Sequence, residues 1–232
     1  MLYMSEMDFL IENIQHLPAL VESEETVQDK FAATFMEFME LSHLYESAIE
    51  IVKTYLNNLA GEFNVKFQRN PIHNIESRLK SAESIVGKLQ KKGLPITPDS
   101  ARRNLLDLAG IRVTCYYISD IYAIADMLRR RDDFEIIKQK DYIKNPKKSG
   151  YRSYHMIVNV PVHLSTRKHY APVEIQVRTI AMDFWASLEH QLKYKTSADL
   201  TPEISEELRQ CAERIAETDL QMQKLMMEIS QL

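Results

Sequence analysis

The chain has 232 residues, of which 45% are hydrophobic and 27% charged, with only five glycines. That profile suits one globular unit with a sizeable core and argues against a low-complexity or disordered chain. The net charge is −4, and it is unevenly spread: residues 5–50 carry eleven acidic side chains against one basic one, Lys30, whereas residues 138–155 carry six basic side chains against one acidic one, Asp141. This argues against a general nucleic-acid binder and points instead to a local anionic ligand.

The opening stretch MLYMSEMDFLIENIQ has no basic leader and no long apolar run, and no segment reaches 18 uninterrupted apolar residues; a cytoplasmic protein is expected. The first 60 residues are predicted to be helical. Phe31, Phe35, Phe38, Leu41, Tyr45, Ala48, Val52, Tyr55 and Leu59 recur at helical spacing, and Gly61 is the expected stop. The segment Ile72–Lys92 is ambiguous. Ile72, Ile75, Leu79, Ala82, Val86 and Leu89 fit one helix, but also a short strand turning into a helix near Ser81. Thr97-Pro98-Asp99 marks a helix start. The period then becomes two: Ile111, Val113, Cys115 and Tyr117 alternate with polar positions, as a strand requires.

A helix capped by Ser119 is expected through Leu128, followed by strands over Phe134–Lys140, Tyr154–Val162 and Val173–Arg178. In the last strand Val173, Ile175 and Val177 face one side and Glu174, Gln176 and Arg178 the other. A helix to about Lys195 and an acidic helix from Pro202 complete an α+β chain. Three regions are expected: a helical extension over 1–60, a core over 61–196 and a terminal helix over 197–232. The stripe Ile204, Leu208, Cys211, Ile215, Leu220 and Leu225 fits either docking on the chain's own body or association with another subunit. Cys115 and Cys211 have neither a disulfide pattern nor a metal spacing and are expected to be reduced.

Asp107, just before one central strand, and Glu174, on the polar face of another, make a candidate pair for Mg²⁺, which favours one or two carboxylates plus substrate phosphates. From spacing alone, each reads first as an ordinary solvated or paired acid. Lys80, Ser84 and Lys88 fall at i, i+4 and i+8, on one face of a helix that either binds a polyphosphate or is simply solvated. The run Asp141–His155, DYIKNPKKSGYRSYH, combines turn signals with four basic residues (Lys144, Lys147, Lys148 and Arg152) and the rings of Tyr151, Tyr154 and His155. Such a loop holds phosphates by charge and stacks a base on a ring. It is not a P-loop, because G-x-x-x-x-G-K-[ST] is absent. These residues by themselves extend as far as a magnesium-dependent nucleotide enzyme.

Four blocks together, RLKSAES (78–84), DLAGIRVTC (107–115), DYIKNPKKSGYRSYH (141–155) and VEIQVRTIAMDFWASLEH (173–190), resemble the synthetase domain of the RelA/SpoT family. The likeness is strongest to the stand-alone small alarmone synthetases of firmicute bacteria, of the RelP type, and covers roughly residues 45–200. It implies a mixed five-stranded sheet flanked by helices, of nucleotidyltransferase-like fold. It also implies transfer of the β,γ-pyrophosphate of ATP to the 3′-hydroxyl of GTP or GDP, giving AMP and pppGpp or ppGpp. By the resemblance, Asp107 and Glu174 hold Mg²⁺, and Glu174 takes the 3′-hydroxyl proton. Arg78 and Arg112 sandwich adenine, and Lys80, Ser84 and Lys88 line the ATP phosphates. Tyr151 stacks on guanine, Lys140, Lys147 and His155 hold the acceptor's phosphates, and Gln176 lies beside its ribose or base. The family also implies that the Arg78–Lys80 block lies at a strand-to-helix junction. A homotetramer and synthesis without hydrolysis are expected, with no membrane and no obligatory nucleic acid. Two alternatives stay open: the same transfer to a tRNA 3′ end or an adenine nucleotide, and a non-catalytic nucleotide- or RNA-binding regulator.

Overall fold

A computed structural model describes residues 24–195, 201–229 and 231. The expectations for residues 1–23, and for the junction at 196–200, lie outside the described residues. Five strands form one mixed sheet in the order β1-β2-β5-β4-β3. The strands are β1 (Ile72–Leu79), β2 (Ala109–Cys115), β3 (Glu135–Asp141), β4 (Tyr154–His163) and β5 (Lys168–Thr179). The central pair β2 and β5 is parallel, and every other pairing is antiparallel.

One sheet face is apolar because the strands alternate. Ile111 and Val113 of β2, Met156 and Val158 of β4, and Val173, Ile175 and Val177 of β5 are all buried in one core. Helices α1 (Glu24–Phe67) and α4 (Ile118–Arg129) complete that core with Tyr45, Ala48, Val52, Leu56, Ile121, Ile124 and Leu128, which recur every three or four residues. The shorter α2 (Ala82–Lys91) and α3 (Pro98–Asn104) lie between β1 and β2 in sequence. Helices α5 (Ile180–Lys195) and α6 (Pro202–Ile229) follow β5.

The ambiguity at 72–92 resolves as a strand, then a helix. Ser81, extended at ψ 154°, caps α2 by accepting the N–H of Ser84. Thr97 caps α3 in the same way, through the N–H of Ser100.

Three expected boundaries are wrong. Gly61 does not end α1; the helix runs on to Phe67, where Gln68, at φ +52°, closes the last turn on the Asn64 carbonyl. A glycine is tolerated inside a helix when the turns on both sides are good helix formers. Ser119 does not cap α4, since the helix already begins at Ile118 and Tyr117 occupies the cap position without a side-chain bond. The Ser119 N–H donates instead to Gln223 of α6. Strand β5 also starts five residues before the expected Val173, because Lys168–Pro172 pair with the end of β4.

The stripe of α6 divides. Leu208 and Ile215 pack on a small cluster of Trp185, Ala186 and Ala212, whereas Ile204, Leu220 and Leu225 stay exposed.

Candidate active site

The register of the sheet assembles the site on its polar face. Glu76 lies opposite Arg112, which lies beside Gln176, which lies opposite His155. One step along, Arg78 faces Gly110, and Gly110 faces Glu174. Four strands thus bring two arginines, an imidazole, an amide and two carboxylates onto one surface. Gly110 lies against Arg78: a Cβ at that position would stand in ordinary contact with the Arg78 side chain, at 3.6 Å. Above this face is a cleft of about 780 Å³, lined by Arg78 and Arg112 on one side and Lys147, Tyr151, His155, Glu174 and Gln176 on the other.

Glu174 sits at the end of two chains of hydrogen bonds that both start at buried Arg178. In one, Arg178 donates to the Tyr151 hydroxyl (2.7 Å), which meets His155 Nε2 (2.9 Å), and His155 Nδ1 meets Glu174 Oε1 (3.3 Å). A carboxylate only accepts, so Nδ1 carries the proton, and Nε2 of a neutral ring then accepts from Tyr151. In the other chain, Arg178 donates to Gln176 Oε1 (2.7 Å) and Gln176 Nε2 donates to Glu174 Oε2 (3.1 Å). The His155 hydrogen bond holds the Glu174 carboxyl below its usual range, aided by the Gln176 amide, against both burial and the charge of Asp107.

Asp107 lies outside the cleft lining, at the mouth of β2. The Lys80 N–H bonds the Leu108 carbonyl (2.8 Å), which fixes the end of β1 next to it. Lys88 (2.5 Å) and Lys80 (3.2 Å) both reach Asp107 Oδ2. Burial pushes this carboxyl up, but the two ammoniums outweigh burial and hold it below the ordinary value. Lys80 and Lys88 therefore do converge, although not as one helix face: Lys80 precedes α2 and meets Lys88 only through the strand-to-helix turn. None of Lys80, Ser84 and Lys88 lines the cleft; the Ser84 hydroxyl accepts from Ser81 (3.0 Å) at the helix cap. Lys140 lines an adjoining cavity of about 220 Å³ that shares Lys147, His155 and Glu174 with the cleft, and its ammonium lies 5.7 Å from the Tyr142 ring.

The basic loop folds over the site. Gly150 N–H closes a turn on the Lys147 carbonyl (2.8 Å), and Lys147 N–H bonds the Tyr151 carbonyl (3.1 Å). The Lys147 ammonium then stands 4.4 Å from the centre of the Tyr151 ring. Sequence reasoning missed Arg178, whose place on the polar face was visible in the alternation but whose burial was not. It also missed Glu76, which pairs with Arg112 (3.2 Å). The third omission is the cleft face of α5, where Ala186, Glu189, His190 and Lys193 recur at i, i+3, i+4 and i+7.

A cleft rich in cationic side chains on an antiparallel-flanked parallel pair, with the Glu174 carboxylate held ionised by its neighbours, defines a protein built to handle phosphorylated nucleotides. Residues 77–199 match the family model described as "Region found in RelA / SpoT proteins". The chain is 45% identical over 170 residues to the GTP pyrophosphokinase YwaC of Bacillus subtilis, covering 73% of this chain and 81% of that protein. It is 33% identical to YjbM of the same organism, covering 81% and 87%. Among solved structures, small alarmone synthetase 2 of Bacillus subtilis superposes with a TM-score of 0.73 at 42% identity, covering 80% of this chain and 96% of that one. Small alarmone synthetase 1, bound to its product pppGpp, superposes at 0.75 with 32% identity, covering 83% and 97%. The chain belongs to the RelA/SpoT family, and it shares the fold of the small alarmone synthetases.

Proposed function

We propose that the protein is a GTP pyrophosphokinase that moves the β,γ-pyrophosphate of ATP to the 3′-hydroxyl of GDP or GTP. The observation that carries this is Glu174: an ionised carboxylate at the floor of a nucleotide-sized cleft, between two arginines on β1 and β2 and a basic, tyrosine-bearing loop. Arg78 and Arg112 hold adenine between planar guanidiniums. Lys80 and Lys88, now paired with Asp107, exchange part of that pairing for ATP phosphates. Tyr151 offers its ring to guanine, while Lys140, Lys147 and His155 face the acceptor's phosphates.

In the transfer, Glu174 takes the proton of the 3′-hydroxyl as that oxygen bonds to the β-phosphorus. The bond from the β-phosphorus to the α,β-bridging oxygen breaks, and AMP leaves. Both chains from Arg178 aim the Glu174 oxygens, so the base is oriented before substrate arrives.

Asp107 and Glu174 fit Mg²⁺ as the bound metal. They are two hard oxygen donors on neighbouring strands: Asp107 stands two residues before β2, and Glu174 of β5 lies beside Gly110 of β2. When bound, the ion supplies charge neutralisation of the polyphosphate. The exposed apolar faces of α5 and α6 support assembly with further copies, as a homotetramer. No helix among the described residues is long and apolar enough to cross a membrane, and we place the activity in the cytoplasm.

The deciding experiment supplies ATP, GDP and Mg²⁺, with uncharged tRNA in competition, and identifies the products. AMP and ppGpp in equal amounts are expected, with GDP preferred to tRNA. Nucleotide binding with no AMP formed, or transfer only to tRNA, would refute the assignment.

A further inference from the structure

Helix α6 supplies none of the residues that line the cleft, yet it grips the loop that carries Lys147 and Tyr151. Gly150, at φ +88°, lies directly on it: a Cβ there would come within 2.5 Å of the Ala212 Cβ and 3.4 Å of the Arg209 carbonyl. One Arg152 nitrogen donates both to the Gly150 carbonyl (3.0 Å) and to the Ala212 carbonyl (3.3 Å), so a single guanidinium ties loop to helix. Ala212 is buried with Trp185 and Ala186, and Tyr151 packs on this same cluster. Trp185 in turn donates its indole N–H to the Leu208 carbonyl (3.0 Å), which locks α5 to α6.

We infer that α6 is the positioning element of the acceptor subsite. Through Ala212 and Arg152 it fixes the Lys147–Tyr151 turn from behind, so contacts outside the cleft set the affinity for the guanine nucleotide. The donor subsite stands on β1, β2 and α2, none of which carries these contacts. The two nucleotide affinities are therefore separable. This rests on the acceptor role proposed for Tyr151 and Lys147.

The test is steady-state kinetics with ATP and GDP varied independently. Ala212→Leu overfills the contact with Gly150 and is expected to raise KM for GDP about 10-fold while KM for ATP stays within about 2-fold. Arg152→Lys keeps the charge but ends one bond short of the nitrogen that meets both carbonyls, and should give the same split at about 3-fold. It decides the question if Ala212→Leu does not fold, as judged by circular dichroism. Parallel rises in both KM values, a fall in kcat alone, or no change in either variant would overturn the inference. A wild-type protein that makes no AMP from ATP and GDP would instead refute the proposed function on which it rests.

Discussion

Glu174 is where charge and geometry meet most tightly. Its carboxyl accepts from His155 on one oxygen and from Gln176 on the other, so a neutral amide in its place keeps the shape and removes the base we propose. Glu174→Gln is expected to lower kcat by at least about 10²-fold with KM for ATP little changed, measured by AMP release. A second expectation concerns pH. A carboxyl held below its ordinary value binds protons less well folded than unfolded. It contributes stability that is complete above that ordinary value and is lost as pH falls through the depressed one. For Glu174 and Asp107 the ordinary values are 4.5 and 3.8. The melting temperature of the wild type should therefore exceed that of Glu174→Gln by a constant margin from neutral pH down to about pH 4.5. The margin should shrink below it. A margin that already closes between pH 7 and pH 5 would show that Glu174 is not held ionised.

Elements depend on contacts that join them end to end. Thr179 ends β5 and caps α5: its hydroxyl accepts the Met182 N–H (3.1 Å) and donates to Asp219 of α6 (2.6 Å). Burial pushes the Asp219 carboxyl up, and the Thr179 hydroxyl offsets this only in part. A carboxyl raised in the folded state costs stability once pH climbs above its ordinary value of 3.8. Asp219→Asn keeps an acceptor for Thr179 and removes the buried charge. It should raise the melting temperature at pH 7, and the gain should vanish below about pH 3.8. In α1, Gly61 has nothing within 4 Å of a built Cβ, so Gly61→Ala should stabilise the fold by about 0.5–1 kcal/mol in denaturant titrations.

The same elements show what a sequence carries. The alternation of β5 was legible because period two follows from which side chains must be buried. The end of α1 was not, because a glycine stops a helix only if the next residues cannot continue it. Lys80 was placed on a helix face it does not share, since strand and helix periodicities overlap across Ile72–Lys92. The convergence of Lys80 and Lys88 on Asp107 comes from the pairing of β1 with β2, and no local pattern encodes that.

At the scale of the molecule, the described residues of α5 and α6 carry exposed apolar side chains. Phe184, Leu188 and Leu192 on α5, and Ile204, Leu220 and Leu225 on α6, are each more than two-fifths exposed. Surfaces of this kind mark association sites. Light scattering at micromolar protein should give a mass near four times 27.1 kDa, and Leu220→Glu with Leu225→Glu should lower it. A wild-type mass of one chain would refute the assembly. The alternation of β5 also makes the protein intolerant of changes in length. Glu174, Gln176 and Arg178 share a face only because one residue separates each from the next, and Val173, Ile175 and Val177 occupy the other. Deleting a single residue at the start of that run would exchange the two sets. The carboxylate would be driven into the core and the valines into the cleft, so catalysis and folding would fail together.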